Sequence, residues 1–245
     1  MKLFIIIFLI VCGIYPEDRK FQFLEPVVLD SDAFTMIGDS RTQYIFQIGQ
    51  NVDWEDNDFL GKFKSGCSEN KIGIQNAGIA GSTTEHWLGF LKSEAYKPKI
   101  FHERIVLMIG GNDIQRNAYR WKGFRINKEE ELKKAIDEIH SRVVEIVNIL
   151  RESNKKVIIQ THFRVNPAKN TAHNKALNEG LDELNLRLWK TFGNKTEILE
   201  SDTSLSFINP DFPSLFFLDL VHLNPFGYQM HSYYLSKELR RRCWW

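Results

Sequence analysis

The chain has 245 residues, of which 43% are hydrophobic and 26% are charged, and its formal net charge is +1. This length and composition are typical of a globular protein with a substantial core. A net charge so close to zero provides no bulk electrostatic attraction to nucleic acid or to an acidic surface, and we expect no nucleic-acid partner.

The N-terminal segment is apolar from Leu3 to Ile14 and becomes polar at residues 17–20. This run is too short for a comfortable membrane span and predicts a signal peptide over residues 1–15. The alternatives are an uncleaved N-terminal anchor and a lipid anchor on Cys12. We therefore expect a secreted or exported protein, in the extracellular space, the periplasm or the cell envelope. Membrane contact is expected only if the segment is retained or lipidated.

Export would place the remaining cysteines in an oxidising compartment. Cys67 and Cys243 are left once the leader is removed, and an even count allows one disulfide between them. Two unpaired thiols are the alternative. The triplet at residues 194–196 makes Asn194 a glycosylation candidate in a host that glycosylates exported proteins.

After the leader, short apolar runs alternate with stretches of helical spacing. The alternation predicts a parallel sheet covered by helices on both faces, in a single domain over residues 21–245. Little beyond one long helix is expected between the third and fourth strands. The predicted strands lie within residues 34–38, 70–78, 103–111, 155–163 and 196–201, and the predicted helices within 41–50, 83–94, 127–153, 174–192 and 224–242.

Unusual polar residues follow several of these strands, where an open parallel sheet carries its working site. Ser40 follows the first strand, the glycine-containing segment 76–84 follows the second, and "GGNDI" (110–114) follows the third. Asp219 and His222 lie just before the last helix. Each feature is commonplace by itself, since a serine in this position is usually a helix cap. Their joint occurrence predicts one shared site.

These residue types suit acyl transfer. His222 can act as a general base for Ser40, and Asp219 can fix the tautomer of the imidazole. A tetrahedral oxyanion needs hydrogen-bond donors, which the amides of Ser40 and Gly81 and the side chain of Asn112 could supply. The dipole of the helix predicted directly after Ser40 adds a favourable potential at the same place.

With these segments in order, the chain resembles the SGNH, or GDSL-like, hydrolases from about residue 34 to residue 239. The resemblance implies a three-layer α/β/α fold with a flavodoxin-like sheet of five parallel strands, and ester hydrolysis without a metal or another cofactor. The blocks that carry the resemblance are "GDS" (38–40), "NAGIAGSTT" (76–84), "GGND" (110–113) and "DLVHLN" (219–224).

The resemblance also implies roles for individual residues. Ser40 matches the nucleophile, Asp219 and His222 complete the triad, and Gly81 and Asn112 match oxyanion donors. One residue departs from the pattern, because Arg41 stands where the name-giving motif has leucine. Its charge beside the nucleophile is expected to bear on substrate choice.

Further candidates for a substrate pocket are Arg41, His162, Arg164 and Phe217. His162 and Arg164 follow the fourth strand, and a structural role is the alternative for each. Phe217 either walls an acyl pocket or packs beneath the Asp-His loop. The histidines other than His222 show no metal-ligand spacing, so no metal is expected.

The leading hypothesis is a secreted serine esterase that cleaves short-chain or acetyl esters through an acyl-enzyme, with a small ester or an acylated glycan as substrate. One alternative is an O-acyl transferase or deacetylase acting on an envelope or extracellular polysaccharide. A third hypothesis, from another class, is an inactive carbohydrate-binding or scaffold protein.

Overall fold

The computed structural model describes residues 34–47, 74–93, 101–121, 128–166, 172–193, 197–201 and 215–241. The predicted leader (residues 1–15), the Cys67–Cys243 pair and Asn194 lie outside these ranges and stay predictions.

Strands and helices alternate along the described part of the chain, which holds five strands and six helices. The strands are β1 (Phe34–Gly38), β2 (Ile74–Gly78), β3 (Arg104–Met108), β4 (Lys156–Gln160) and β5 (Ile198–Leu199). The helices are α1 (Ser40–Gln47), α2 (Thr84–Lys92), α3 (Gly111–Trp121), α4 (Lys128–Glu152), α5 (Ala172–Phe192) and α6 (Pro225–Arg241). None of these helices is both long enough and apolar enough to cross a membrane.

The strands form one parallel sheet in the order β2-β1-β3-β4-β5. This confirms the predicted α/β fold with five parallel strands. The chain moves outward from β1 to β2 and returns to β3 on the opposite side of β1, so the strand order switches direction between β1 and β3. Sheets of this order bind ligands outside the carboxyl ends of the strands at such a switch point.

Alternate residues of each strand pack into different layers, which explains the continuous apolar runs of the sequence. Ile37 and Leu107 face the layer formed by α2, α3, α4 and α5, whereas Met36 and Met108 face α1 and α6. All four side chains are buried. Burial of a side chain of this size stabilises the fold by about 1.5–3 kcal/mol relative to exposure.

The expectation that little beyond the long helix joins β3 to β4 is wrong, because α3 lies between these strands ahead of α4. Its buried positions include Gly111, Asp113 and Ile114, of which one is a large apolar residue. Burial of the Asp113 carboxylate is tolerated because it accepts hydrogen bonds from the Thr84 amide (2.9 Å) and hydroxyl (2.7 Å). Most of the described buried positions of α3 are not large apolar residues, and the helix has few apolar residues overall, so its sequence signal is weak.

The tight packing at the end of β1 allows a stability prediction. A Cβ atom at Gly38 would overlap the Thr42 hydroxyl and lie 2.5 Å from the Met108 carbonyl oxygen. Because a backbone atom cannot move aside easily, we expect Gly38→Ala to lower the free energy of unfolding by about 2–3 kcal/mol. Urea denaturation measures this change.

The matched control is Gly89→Ala in helix α2, where a Cβ atom would have no neighbour within 4 Å. Alanine stabilises a helix relative to glycine, so the free energy of unfolding of this variant should be higher by about 0.5–1 kcal/mol. Equal unfolding midpoints for the two variants would contradict the described packing around Gly38.

Candidate active site

The turn between β1 and α1 leaves the Ser40 hydroxyl free of a capping role. Asp39 is the single residue between the strand and the helix. Its carboxylate Oδ1 accepts a hydrogen bond from the Arg41 amide (2.9 Å), and its carbonyl accepts one from the Gln43 amide (2.9 Å). Asp39 therefore caps the helix. Ser40, the first residue of α1, keeps its hydroxyl for another partner.

The segment before α6 folds back on itself and presents Asp219 and His222. Phe217 and Leu223 form an antiparallel bridge, and the Leu218 amide donates to the His222 carbonyl (2.9 Å). Within this loop the Asp219 Oδ1 atom accepts hydrogen bonds from the Val221 and His222 amides, both at 2.7 Å. Three residues of spacing are thus enough for one carboxylate to shape the turn and reach the imidazole.

A continuous hydrogen-bonded chain joins Ser40, His222 and Asp219. The Nε2 atom of His222 lies 2.9 Å from Ser40 Oγ, and its Nδ1 atom lies 2.7 Å from Asp219 Oδ2. The carboxylate accepts a hydrogen bond from Nδ1–H, which leaves Nε2 unprotonated and able to accept one from the serine hydroxyl. This arrangement can take a proton from the hydroxyl as the oxygen attacks an electrophile.

The environment of Asp219 favours its ionised form. Burial raises the pKa of this carboxyl, but hydrogen bonds from the His222 side chain and from the His222 and Val221 amides outweigh burial and lower the pKa to about 2. The group therefore carries a negative charge throughout the range in which histidine acts as a base.

Two residues outside the predicted set support the loop. The Tyr44 ring meets the His222 ring edge-on, with centroids 5.4 Å apart. Asn166 donates from its backbone to the Leu220 carbonyl (2.8 Å) and from its side chain to the Asp219 carbonyl (3.3 Å). Tyr44 lies one helical turn after Ser40, and Asn166 follows β4. These positions near predicted site elements are the one signal in the sequence that could have identified the two residues.

Hydrogen bonds tie together the three segments that carry the predicted oxyanion donors. Gly81 sits in the turn after β2 with a positive φ of 75°, which glycine adopts freely. The neighbouring Ser82 donates from its hydroxyl to the Gly38 carbonyl (3.1 Å), and its own carbonyl accepts from the Asn112 side chain (2.9 Å). One hydrogen of the Asn112 amide is thus fixed, and the second is available to a ligand.

The charged side chain of Arg41 is buried in the protein. The side chain is buried, its Nη1 donates to the Phe163 carbonyl (3.0 Å), and the guanidinium carbon lies 4.5 Å from the centre of the Phe163 ring. Burial lowers the pKa of Arg41, and burial also raises the pKa of Asp39 against the opposing effect of the guanidinium. Arg41 thus holds the Ser40 turn to the segment after β4.

The other predicted pocket residues lie in three different environments. His162 is buried and donates from Nε2 to the Ile109 carbonyl (3.0 Å). Arg164 is exposed and makes a two-pronged ion pair with Asp182, at 3.1 and 2.8 Å. Phe217 packs in the core layer beneath the loop, beside Leu223. Roles for these residues in substrate binding stay predictions.

Comparisons with known proteins agree with this geometry. A model of the GDSL-like lipase/acylhydrolase family matches residues 36–230. No curated protein matches the chain in sequence.

Solved structures share the fold at low sequence identity. A GDSL-like lipase from Bacteroides thetaiotaomicron superposes with a TM-score of 0.60 at 13% identity, covering 89% of this chain and 93% of that one. A lipase from a goat rumen metagenome gives 0.58 at 16% identity, covering 84% and 96%. An acetylxylan esterase from Geobacillus stearothermophilus gives 0.54 at 16% identity, covering 86% and 94%.

Proposed function

Because the chain belongs to the GDSL-like lipase/acylhydrolase family of ester-hydrolysing enzymes, we propose that it is a serine esterase in which Ser40, His222 and Asp219 form the catalytic triad. The observation that carries the proposal is the hydrogen-bonded chain, with 2.9 Å between Ser40 Oγ and His222 Nε2 and 2.7 Å between His222 Nδ1 and Asp219 Oδ2. The two distances suit a nucleophile and its base, and a base and its orienting group.

In the acylation step, His222 Nε2 takes the proton of Ser40 while the serine oxygen bonds to the ester carbonyl carbon. The negative charge that develops on the carbonyl oxygen is stabilised by the Ser40 and Gly81 amides and by the free hydrogen of the Asn112 side chain. The carbon–oxygen bond to the alcohol then breaks, and the alcohol leaves with the proton from His222. Asp219 stabilises the imidazolium that forms between these two transfers.

In the deacylation step, water takes the place of the alcohol. His222 removes a proton from the water as its oxygen attacks the acyl carbon. The bond to Ser40 Oγ breaks, the serine regains its proton from His222, and the acid is released. A sugar hydroxyl that attacks in place of water would make the same residues an O-acyl transferase.

We propose acetyl or other short-chain esters as substrates. Two connections at the catalytic edge are short, since one residue separates β1 from α1 and two separate β3 from α3. Short connections build a shallow site that suits a small acyl group. The acetylxylan esterase among the similar structures lends support to an acetylated glycan. With the predicted leader, such a substrate would be extracellular or part of the cell envelope.

The test is turnover of p-nitrophenyl acetate, butyrate, octanoate and decanoate, with acetylated xylan assayed for released acetate. We expect the highest kcat/KM for the acetyl or butyryl ester and a progressive fall for longer chains. Acetyl transfer to an added xylo-oligosaccharide without release of acetate would instead identify a transferase. Binding of the glycan with no turnover of any ester would contradict an enzymatic role for Ser40.

A further inference from the structure

His162 lies beneath the turn that leads into Asn112, and its ring has a definite tautomer. The side chain is 1% exposed, and Nε2 lies 3.0 Å from the Ile109 carbonyl oxygen. A carbonyl oxygen can only accept a hydrogen bond, so Nε2 carries the proton and Nδ1 is an acceptor. The ring thus holds the last residue before Gly110 in place.

The imidazole also packs directly against the two glycines that follow Ile109. A Cβ atom at Gly110 would lie 3.6 Å from Nε2, and one at Gly111 would lie 3.5 Å from Nδ1. Gly110 has a φ of 121°, a conformation that side chains other than hydrogen rarely tolerate. The ring therefore packs beneath the sharp turn that places Asn112 at the start of α3.

The backbone of His162 is held by helix α5. The His162 amide donates to Asn185 Oδ1 (2.8 Å), and Asn185 Nδ2 donates to the His162 carbonyl (2.7 Å). This reciprocal pair fixes the backbone of His162 to helix α5. A displacement of the 109–112 turn would require the imidazole or this pair to move.

Packing by itself does not account for a histidine at this position. Burial, with the nearby Arg41 charge, lowers the pKa of His162 to about 4, so the ring is neutral at physiological pH. Its Nδ1 atom has no hydrogen-bond partner within the described residues. A buried acceptor without a partner destabilises the fold, and leucine would avoid that cost. Compared with leucine, the imidazole supplies one further interaction, the hydrogen bond from Nε2 to the Ile109 carbonyl oxygen.

We propose that His162 is a positioning residue of the oxyanion hole, which holds the Ile109–Gly111 turn so that the Asn112 amide points at the developing oxyanion. The inference rests on the proposed esterase function. It predicts an effect on the transition state rather than on substrate binding, because the oxyanion forms only as the reaction proceeds.

The test is a double-mutant cycle between His162→Leu and Asn112→Ala, measured with p-nitrophenyl acetate. We expect His162→Leu to lower kcat by about 10–100-fold with little change in KM, since a small misplacement of a positioned group costs this much. In the Asn112→Ala protein the same substitution should cost less than about threefold, because the group that it positions is already gone. An equal loss in both proteins, or no loss in either, would overturn the proposal.

A second variant separates the loss of the hydrogen bond from a general loss of folding. His162→Gln can place an amide donor where Nε2 lies, so we expect kcat to recover to within about fivefold of the unmodified protein. A loss as large as that of His162→Leu would overturn the role of the donor. The matched control is His102→Leu, a buried histidine at the amino end of β3. It should lower stability without any coupling to Asn112→Ala.

An error in the proposed function and an error in the proposed role of His162 would give different results. If the esterase function is wrong, the unmodified protein shows no ester turnover. If the inference about His162 is wrong, that turnover remains and the cycle shows no coupling.

Discussion

Replacement of Ser40 by alanine is expected to lower kcat for p-nitrophenyl acetate by a factor on the order of 10⁶, because the proposed acyl-enzyme forms on the Ser40 oxygen. The loss should come without a loss of stability. Asp39, and not Ser40, caps helix α1 through its carboxylate and carbonyl, so the helix keeps its cap in the variant. Kinetic assays and thermal denaturation of the same samples separate the two effects.

A fluorophosphonate probe provides the direct readout, since it reacts with a serine whose proton a neighbouring base can take. Intact-mass spectrometry should show one adduct on the unmodified protein and none on Ser40→Ala. The control is Ser141→Ala, because Ser141 is an exposed serine on helix α4. That variant should label and turn over ester like the unmodified protein. Full esterase activity in Ser40→Ala would contradict the proposed mechanism.

The second large effect is expected for Asp219→Asn, with a fall in kcat of about 10⁴-fold. Asparagine keeps an oxygen that can accept from the Val221 and His222 amides, so the turn should survive. With the oxygen in that position, the group facing His222 Nδ1 becomes an amide NH₂ donor in place of Oδ2. The imidazole then favours the tautomer with its proton on Nε2, which cannot accept the proton of Ser40. Asp219→Glu, which keeps the charge at a different reach, should retain more activity than Asp219→Asn.

The same substitution should change how stability depends on pH. The pKa of Asp219 in the folded protein is about 2, below its usual value of 3.8. A carboxyl whose pKa is lowered by folding stabilises the native state fully above its unfolded pKa. That contribution is lost as the pH falls from about 4 to about 2. Urea midpoints measured across this range should fall less steeply for Asp219→Asn. Parallel curves would contradict the hydrogen-bonded state of the carboxylate.

The sequence predicted the central strands well because they are short, largely apolar and almost fully buried. The run that contains β3 is an example, since Ile105 through Met108 are all buried. The prediction failed at α3, which binds Thr84 through the buried carboxylate of Asp113. The described buried positions of α3 are a glycine, an aspartate and one isoleucine, and this set does not stand out as an apolar stripe in the sequence.

Some residues of the candidate site could likewise be predicted from the sequence, and others could not. Ser40, Asp219 and His222 could be proposed from the sequence because each lies at a recognisable strand end or before the last helix. The supporting residues could not, because their partners are remote. Asn166 meets the Asp219 carbonyl across 53 residues of chain. Whether Ser40 capped its helix was also open, since a neighbouring Asp39 can cap equally well and only the geometry distinguishes the two.

The distance along the chain between Ser40 and His222 has a consequence for synthesis. The two residues are 182 positions apart, and helices α1 and α6 are joined by a hydrogen bond from the Ser232 hydroxyl to the Ile45 carbonyl (2.8 Å). A ribosome-bound chain therefore carries the proposed nucleophile long before it carries the proposed base. The Ser40–His222 contact needs both ends of the domain in place, so recovery of activity during refolding should report the meeting of these ends as well as the formation of the sheet.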